Sequence, residues 1–120
     1  CTQEAPIHDN IKQALVSATE RDTNLMFRTL HNTARVLKNA VSNEVVAMEK
    51  QGATFEQIRH LVAGARGRVA LREGKVDDGV VSAGMVIGLI KDVPTCAELI
   101  ERIVAECRER LRLAAASFDA

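Results

Sequence analysis

The stretch VSAGMVIGLIKDVPTCAELI, residues 81–100, is the most informative in this 120-residue sequence, because it sets two patterns side by side. In its first half, Ser82, Ala83, Gly84 and Gly88 are interleaved with Met85, Val86, Ile87 and Leu89, so small residues open an apolar helical segment. Such a place either turns backbone N–H groups toward an anion or lets a helix pack closely on a neighbour, and on physical grounds alone packing is favoured. In its second half, Thr95 and Glu98 follow Pro94 with the T-x-x-E spacing of a capping box. This predicts a helix whose inner stripe is Leu99, Ile103, Cys107 and Leu111, with Glu98/Arg102 and Glu106/Arg110 as i,i+4 pairs on its surface.

Working toward the N-terminus, GRVALREG predicts a helix, and Thr54 with Gln57 caps another over FEQIRHLV, with Phe55, Ile58 and Val62 inward. Residues 40–50 place Val41, Val45 and Met48 on one stripe, which Gly52 ends as a left-handed cap. In TNLMFRTLHNTARVLKN the pair His31-Asn32 separates two apolar runs, the signature of a hairpin or two extended segments. Ile7, Ile11 and Leu15, behind Pro6 and with Asp9 or Asn10 near the start, predict a short first helix. The expected class is mainly α with a small β-hairpin (α+β). Two strands and helices of about ten residues rely on packing against something larger.

Composition narrows the functional classes. Sixteen basic side chains balance 16 acidic ones, and Tyr and Trp are absent, so charge and stacking give no case for a nucleic-acid or membrane-surface partner. The weakly charged run from Gly79 to Ile90 carries three glycines and is too short for a span, which needs about 20 apolar residues. The expectation is a cytoplasmic protein with no membrane partner. Cys1, Cys96 and Cys107 form no CxxC or zinc spacing, and two thiols eleven residues apart on one helix lie about 16 Å apart, too far to pair.

Candidate chemistry is sparse. His8, His31 and His60 share no helix face with one another or with a carboxylate, so each reads as a surface or turn residue, and no metal site is expected. Asp77 and Asp78, beside Gly79, read as a solvated turn or a cap on the following helix. Gly64 and Gly67 with Arg66 resemble a KH-type G-x-x-G loop that lets RNA phosphates approach the backbone; zero net charge weighs against that RNA-binding module.

Four ordered blocks, CTQEAPIH, FRTLHNTARVLKNAVSNEVV, LVAGARGR and SAGMVIGLIKDVPTCAELIERIV, resemble the C-terminal part of the nitronate monooxygenase family, formerly 2-nitropropane dioxygenases. The resemblance implies a TIM-barrel flavoenzyme that binds FMN and oxidises a nitronate with molecular oxygen. It further implies that residues 1–80 form a small capping domain and 81–120 the closing helices. The catalytic His and most FMN contacts would then lie in an N-terminal barrel portion, the partner on which this chain packs, so no catalytic residue is expected here. In the family CTQEAPIH follows the last barrel strand, so the resemblance implies a chain cut just past that strand; a lipoprotein Cys1 is disfavoured because helical spacing begins at Ile7. Ser82, Ala83, Gly84 and Met85 are the expected substrate-mouth residues. Many relatives carry Gln where this chain has Met85, and a subset with Met includes proteins that look more like NAD(P)H:quinone reductases, so the resemblance implies either a nitronate or a quinone as substrate, the latter with NAD(P)H.

Overall fold

A computed structural model describes residues 1–118. The described chain is mainly helical with one two-stranded sheet: α1 (Asp9–Ser17), β1 (Thr23–Met26), β2 (Ala34–Leu37), α2 (Ala40–Lys50), α3 (Phe55–Val62), α4 (Gly64–Glu73), a 3-10 turn (Met85–Leu89) and α5 (Cys96–Ala116). It parts into two compact units, Pro6–Asp92 and Cys1–Ala5 together with the chain from Val93 onward.

In the larger unit, α1, α2 and α3 start where a side chain meets a free N–H group, while α4 starts at Ala63 without a side-chain cap. For α1 that residue is His8, whose Nδ1 accepts the Asn10 N–H at 3.1 Å, so the cap falls just before the expected Asp9 or Asn10. Ile11 is fully buried on α1, and the Nζ of Lys12, itself buried, lies 3.6 Å from Asp9. On α3 the Thr54 N–H donates to Gln57 Oε1 at 2.8 Å. Phe55, expected inward, is instead 44% exposed. As the first residue of α3 it lies outside the buried pair Ile58 and Leu61, which supplies the helix's inner face. The predicted left-handed cap after α2 is present at Gly52, with φ 84°.

The strands pair antiparallel, Thr23 opposite Leu37 and Met26 opposite Ala34. A two-stranded sheet is marginal alone, and here α2 and α3 cover it. Met26, Val36, Val41, Val45, Ile58 and Leu61 form one buried cluster. A second joins Ile11, Ala18, Leu37, Val81 and Ile87, so β2 contributes Val36 to one cluster and Leu37 to the other, as strand alternation requires.

Between the clusters lies a buried polar junction. Asn39 Oδ1 accepts the Ser42 N–H at 2.8 Å and Ser42 Oγ accepts the Asn39 N–H at 2.9 Å, closing a capping box on α2. Asn39 Nδ2 donates to the carbonyls of Val76 at 2.7 Å and Gly79 at 2.8 Å, tying the helix start to the KVDDG turn. Asp77 accepts the Ala40 N–H at 2.9 Å, so it caps α2, thirty-seven residues back in the chain, and not a following helix.

In the smaller unit, Gln3 N–H donates to the Pro94 carbonyl at 2.9 Å and the Glu4 carboxylate accepts the Cys96 N–H at 3.0 Å. Thr95 and Glu98 form the predicted capping box, with Thr95 N–H to Glu98 Oε2 at 2.8 Å. Cys96 and Cys107 are both on α5, as predicted, and all three cysteines are free thiols. No residue of α5 is buried: Ile103 is 58% and Leu111 66% exposed.

Two outcomes are expected. Asn39→Ala removes a cap and strands two buried carbonyls and an N–H, so urea unfolding should show a loss of about 2–4 kcal/mol, against under about 1 kcal/mol for an exposed control such as Asn43→Ala. Glu4 is held below its ordinary 4.5, first by the Cys96 backbone N–H at the start of α5. A depressed carboxylate stabilises above its unfolded value and loses that effect as pH falls through its folded one, so protection of the Cys96 amide from hydrogen exchange should drop below about pH 4.5. Glu4→Gln should flatten that profile.

Candidate functional site

The segment 81–83 runs along the free edge of β2. Leu37 N–H donates to the Val81 carbonyl at 2.8 Å, Ala83 N–H to the Arg35 carbonyl at 3.4 Å, and Ser82 forms an isolated antiparallel bridge with Val36. This short third rung fixes which way the next residues go. Val81 is buried in the second cluster and Ala83 packs against it, while Ser82, between them, faces out and is exposed.

Gly84 then opens a single 3-10 turn, with Ile87 N–H to the Gly84 carbonyl at 3.1 Å. The apolar segment predicted as a helix is therefore only Met85–Leu89, because Ile87 alone is drawn into the core (1% exposed). Met85, Val86 and Leu89 are 60, 62 and 78% exposed. Of the four predicted residues, Ser82, Gly84 and Met85 are exposed along one rim and Ala83 between them is half-buried against the core, and an apolar surface that this unit does not cover follows.

The two glycines of the segment differ. A Cβ on Gly88 would lie 2.9 Å from the Glu20 backbone nitrogen, so Gly88 is small because the 3-10 turn presses on the chain after α1. A Cβ on Gly84 would meet nothing nearer than Val86 Cγ1 at 3.8 Å, and its φ of −84° suits any residue. Close packing accounts for Gly88 and leaves Gly84 without a cause inside this chain.

The other candidates do not assemble. Gly64 and Gly67 lie within the first turn of α4, separated from α3 only by Ala63, so no G-x-x-G loop exists. Gly67 is small because it meets the 75–80 turn: a Cβ on Gly79 would sit 2.9 Å from both Gly67 Cα and Ala70 Cβ, whereas a Cβ on Gly64 would meet nothing within 4 Å. His8 is a cap, His31 lies in the hairpin turn and His60 is exposed on α3. Among the described residues no group of three or more His, Cys, Asp or Glu side chains is placed to hold a metal ion, and no helix is long and apolar enough to cross a membrane.

Sequence reasoning passed over the hairpin turn. Phe27 and His31 take left-handed backbone, φ 60° and 54°, which for side chains of this size costs of order 1–3 kcal/mol each. The buried carboxylate of Glu49 holds that turn, Oε2 accepting the Phe27 N–H at 3.0 Å and Oε1 the Thr29 hydroxyl at 3.1 Å. Its only trace in the sequence is an acidic residue on the apolar side of α2, which periodicity by itself does not interpret.

Comparison with known proteins bears on these features. Two curated relatives, from Rhodococcus jostii and Mycobacterium tuberculosis, are each named (3aS,4S,5R,7aS)-5-hydroxy-7a-methyl-1-oxo-octahydro-1H-indene-4-carboxyl-CoA dehydrogenase. The first is 43% identical over 44 residues, 37% of this chain, and the second 39% identical over 52 residues, 43% of it. The aligned parts are 12% and 15% of those proteins' lengths. The structure of FabK from Thermotoga maritima superposes on 96% of this chain with a TM-score of 0.85 and 27% identity, over 36% of FabK's length. A point mutant of the same FabK matches over the same 96% with a TM-score of 0.76 at 23% identity, a likeness of fold alone. The sequence profile of the family described as nitronate monooxygenase matches residues 1–106, nearly the whole described chain, and the chain belongs to that family.

Proposed function

We propose that this chain is the C-terminal part of an FMN-dependent oxidoreductase and that the rim Ser82–Met85 faces the flavin and substrate at the mouth of a TIM barrel. Gly84 is the observation that carries this reading. It has open space where a Cβ would stand and ordinary backbone angles, as Gly64 also has, but it alone of the two adjoins the uncovered apolar surface of Met85, Val86 and Leu89, which supports a role toward something outside the chain. A flat aromatic ring that must lie against backbone is such a requirement.

The residues present fit one edge of that ring and not its phosphate. Ser82 offers an exposed hydroxyl and Met85 a polarizable thioether on an apolar surface shared with Val86 and Leu89. The 3-10 turn has five residues, too few to form a phosphate site. Phosphate contacts and the catalytic base would belong to the barrel portion, and electron transfer to the bound flavin. This chain's part is to exclude water from the mouth and to set its shape. The exposed stripe of α5, Ile103 and Leu111 foremost, would pack on the barrel's flank.

Nitronate oxidation with O2 is the leading reaction. A second reading, NAD(P)H-dependent quinone reduction, is favoured by Met85 itself: it offers no amide donor to a nitro group and presents a soft surface to a quinone ring. The curated relatives' name as a dehydrogenase also leans away from oxygen insertion.

The test uses the intact enzyme. Gly84→Val places a β-branched side chain in an extended, uncrowded position, so the unfolding midpoint should stay within about 2 °C of the parent's, while flavin retention and kcat/KM should each fall at least about tenfold, the loss of roughly 1.4 kcal/mol of binding. Unchanged flavin content and turnover would place the rim away from the cofactor. Met85→Gln should raise the ratio of nitronate to quinone turnover, and no substitution of His8, His31 or His60 should move it. Expressed alone, the chain should hold no flavin and turn over neither substrate. Co-expression with the barrel portion of a close relative should give a yellow complex.

A further inference from the structure

A cavity of about 220 Å³ opens beside the strained hairpin turn, between β1 and α2, lined by Leu25, Arg28, Thr29, Val46, Glu49 and Lys50. It lies away from the Ser82–Met85 rim in sequence and in the elements that build it. The turn above it is held rigidly. Leu30 and Asn32 N–H groups both return to the Phe27 carbonyl, at 3.2 and 3.3 Å, and Glu49 fixes Phe27 from below. The Glu49 carboxylate and the turn's own hydrogen bonds hold the segment that borders this half-open recess.

The charges around it are unequal. Glu49 is the one acid in the lining, and its two oxygens are already engaged by the Phe27 N–H and the Thr29 hydroxyl. Arg28 and Lys50 are exposed, and among the described residues neither forms an ion pair. Leu25 and Val46 give half-buried aliphatic wall. The volume equals that of about seven waters at roughly 30 Å³ each, enough for a ligand of about eight non-hydrogen atoms.

We infer that this cavity is a binding site for a short aliphatic carboxylate, its chain of about five methylene or methyl carbons against Leu25 and Val46 and its carboxylate between Arg28 and Lys50. An apolar ligand without charge would leave two cations unused, and a cationic one would meet them. The site uses no flavin contact, so it stands or falls separately from the reading of the Ser82–Met85 rim.

The probe is hexanoate, titrated into the intact protein while methyl NMR signals of Leu25 and Val46 are followed. Saturable shifts with a Kd of about 1 mM are expected, with hexan-1-ol at least about tenfold weaker and hexylammonium without effect. Arg28→Gln with Lys50→Gln should weaken hexanoate about tenfold or more, at an unfolding midpoint unchanged because both residues are exposed. Val46→Trp, which fills the cavity, should abolish the shifts. Absence of saturation by about 20 mM, equal binding of the alcohol or the amine, or full affinity in the Arg28/Lys50 double variant would each overturn the proposal. Flavin content, read in the same samples by absorbance, should stay constant throughout.

Discussion

Asn39 closes the joint on which the larger unit is built. Its side chain has one acceptor and two donor positions, and three buried partners use them: the Ser42 N–H and the carbonyls of Val76 and Gly79. The partners come from two stretches, the first turn of α2 and the turn after α4, so one 5% exposed amide just past β2 makes the end of β2, the start of α2 and that turn a single object. A buried amide is costly unless every position is filled, and that cost gives the joint one geometry where apolar packing would tolerate several. Ser42 extends it, bonding the Leu37 carbonyl at 3.0 Å and accepting from Asn24 Nδ2 at 3.0 Å, which reaches β1 as well.

The candidate site is carried by this joint. Once the turn at 76–79 is pinned to α2, the chain leaving it has to run along the open edge of β2, where Val81 pairs with Leu37 and Ser82 with Val36. Strand alternation then sends Val81 and Ala83 inward and Ser82 outward. The approach of Gly88 to Glu20 limits the next segment to one tight turn. Exposure of Met85, Val86 and Leu89 comes from this route: with Ile87 anchored in the core, the neighbouring side chains of a five-residue 3-10 turn must point elsewhere.

Apolar surface is concentrated at the 3-10 turn and on α5, with Phe55 and Val69 exposed singly elsewhere, and no buried side-chain nitrogen or oxygen lacks a partner among the described residues. The two facts together separate a finished interior from unfinished surfaces. A poorly packed chain would show stranded polar atoms in its core as well. On the function proposed above, such surfaces are contacts with the rest of a larger enzyme; the chain itself belongs to the nitronate monooxygenase family and spans 36% of the length of FabK.

The amino-acid order determined some elements outright and left others open. The helix over 40–50 and the one read over 95–111, which runs to Ala116 in the structure, came from stripes and caps confined to a few neighbouring residues, Thr95 with Glu98 above all, and local signals of that kind survive any tertiary arrangement. The hairpin came from two apolar runs around a polar pair. The rim Ser82–Met85 was legible as small residues beside apolar ones, but its form was not, because whether that pattern becomes a helix or one turn depends on Val36 and Glu20, more than forty residues away. Gly64 and Gly67 look like a phosphate loop by spacing, and only the structure shows both inside α4, with Gly67 in close contact with Gly79. Asp77 capping a helix earlier in the chain, Phe55 left outside and Glu49 gripping a turn twenty-two residues distant share one reason. Periodicity and capping are rules about neighbours in sequence, while a buried hydrogen bond or a sterically forced glycine is decided by which distant segments the core brings together.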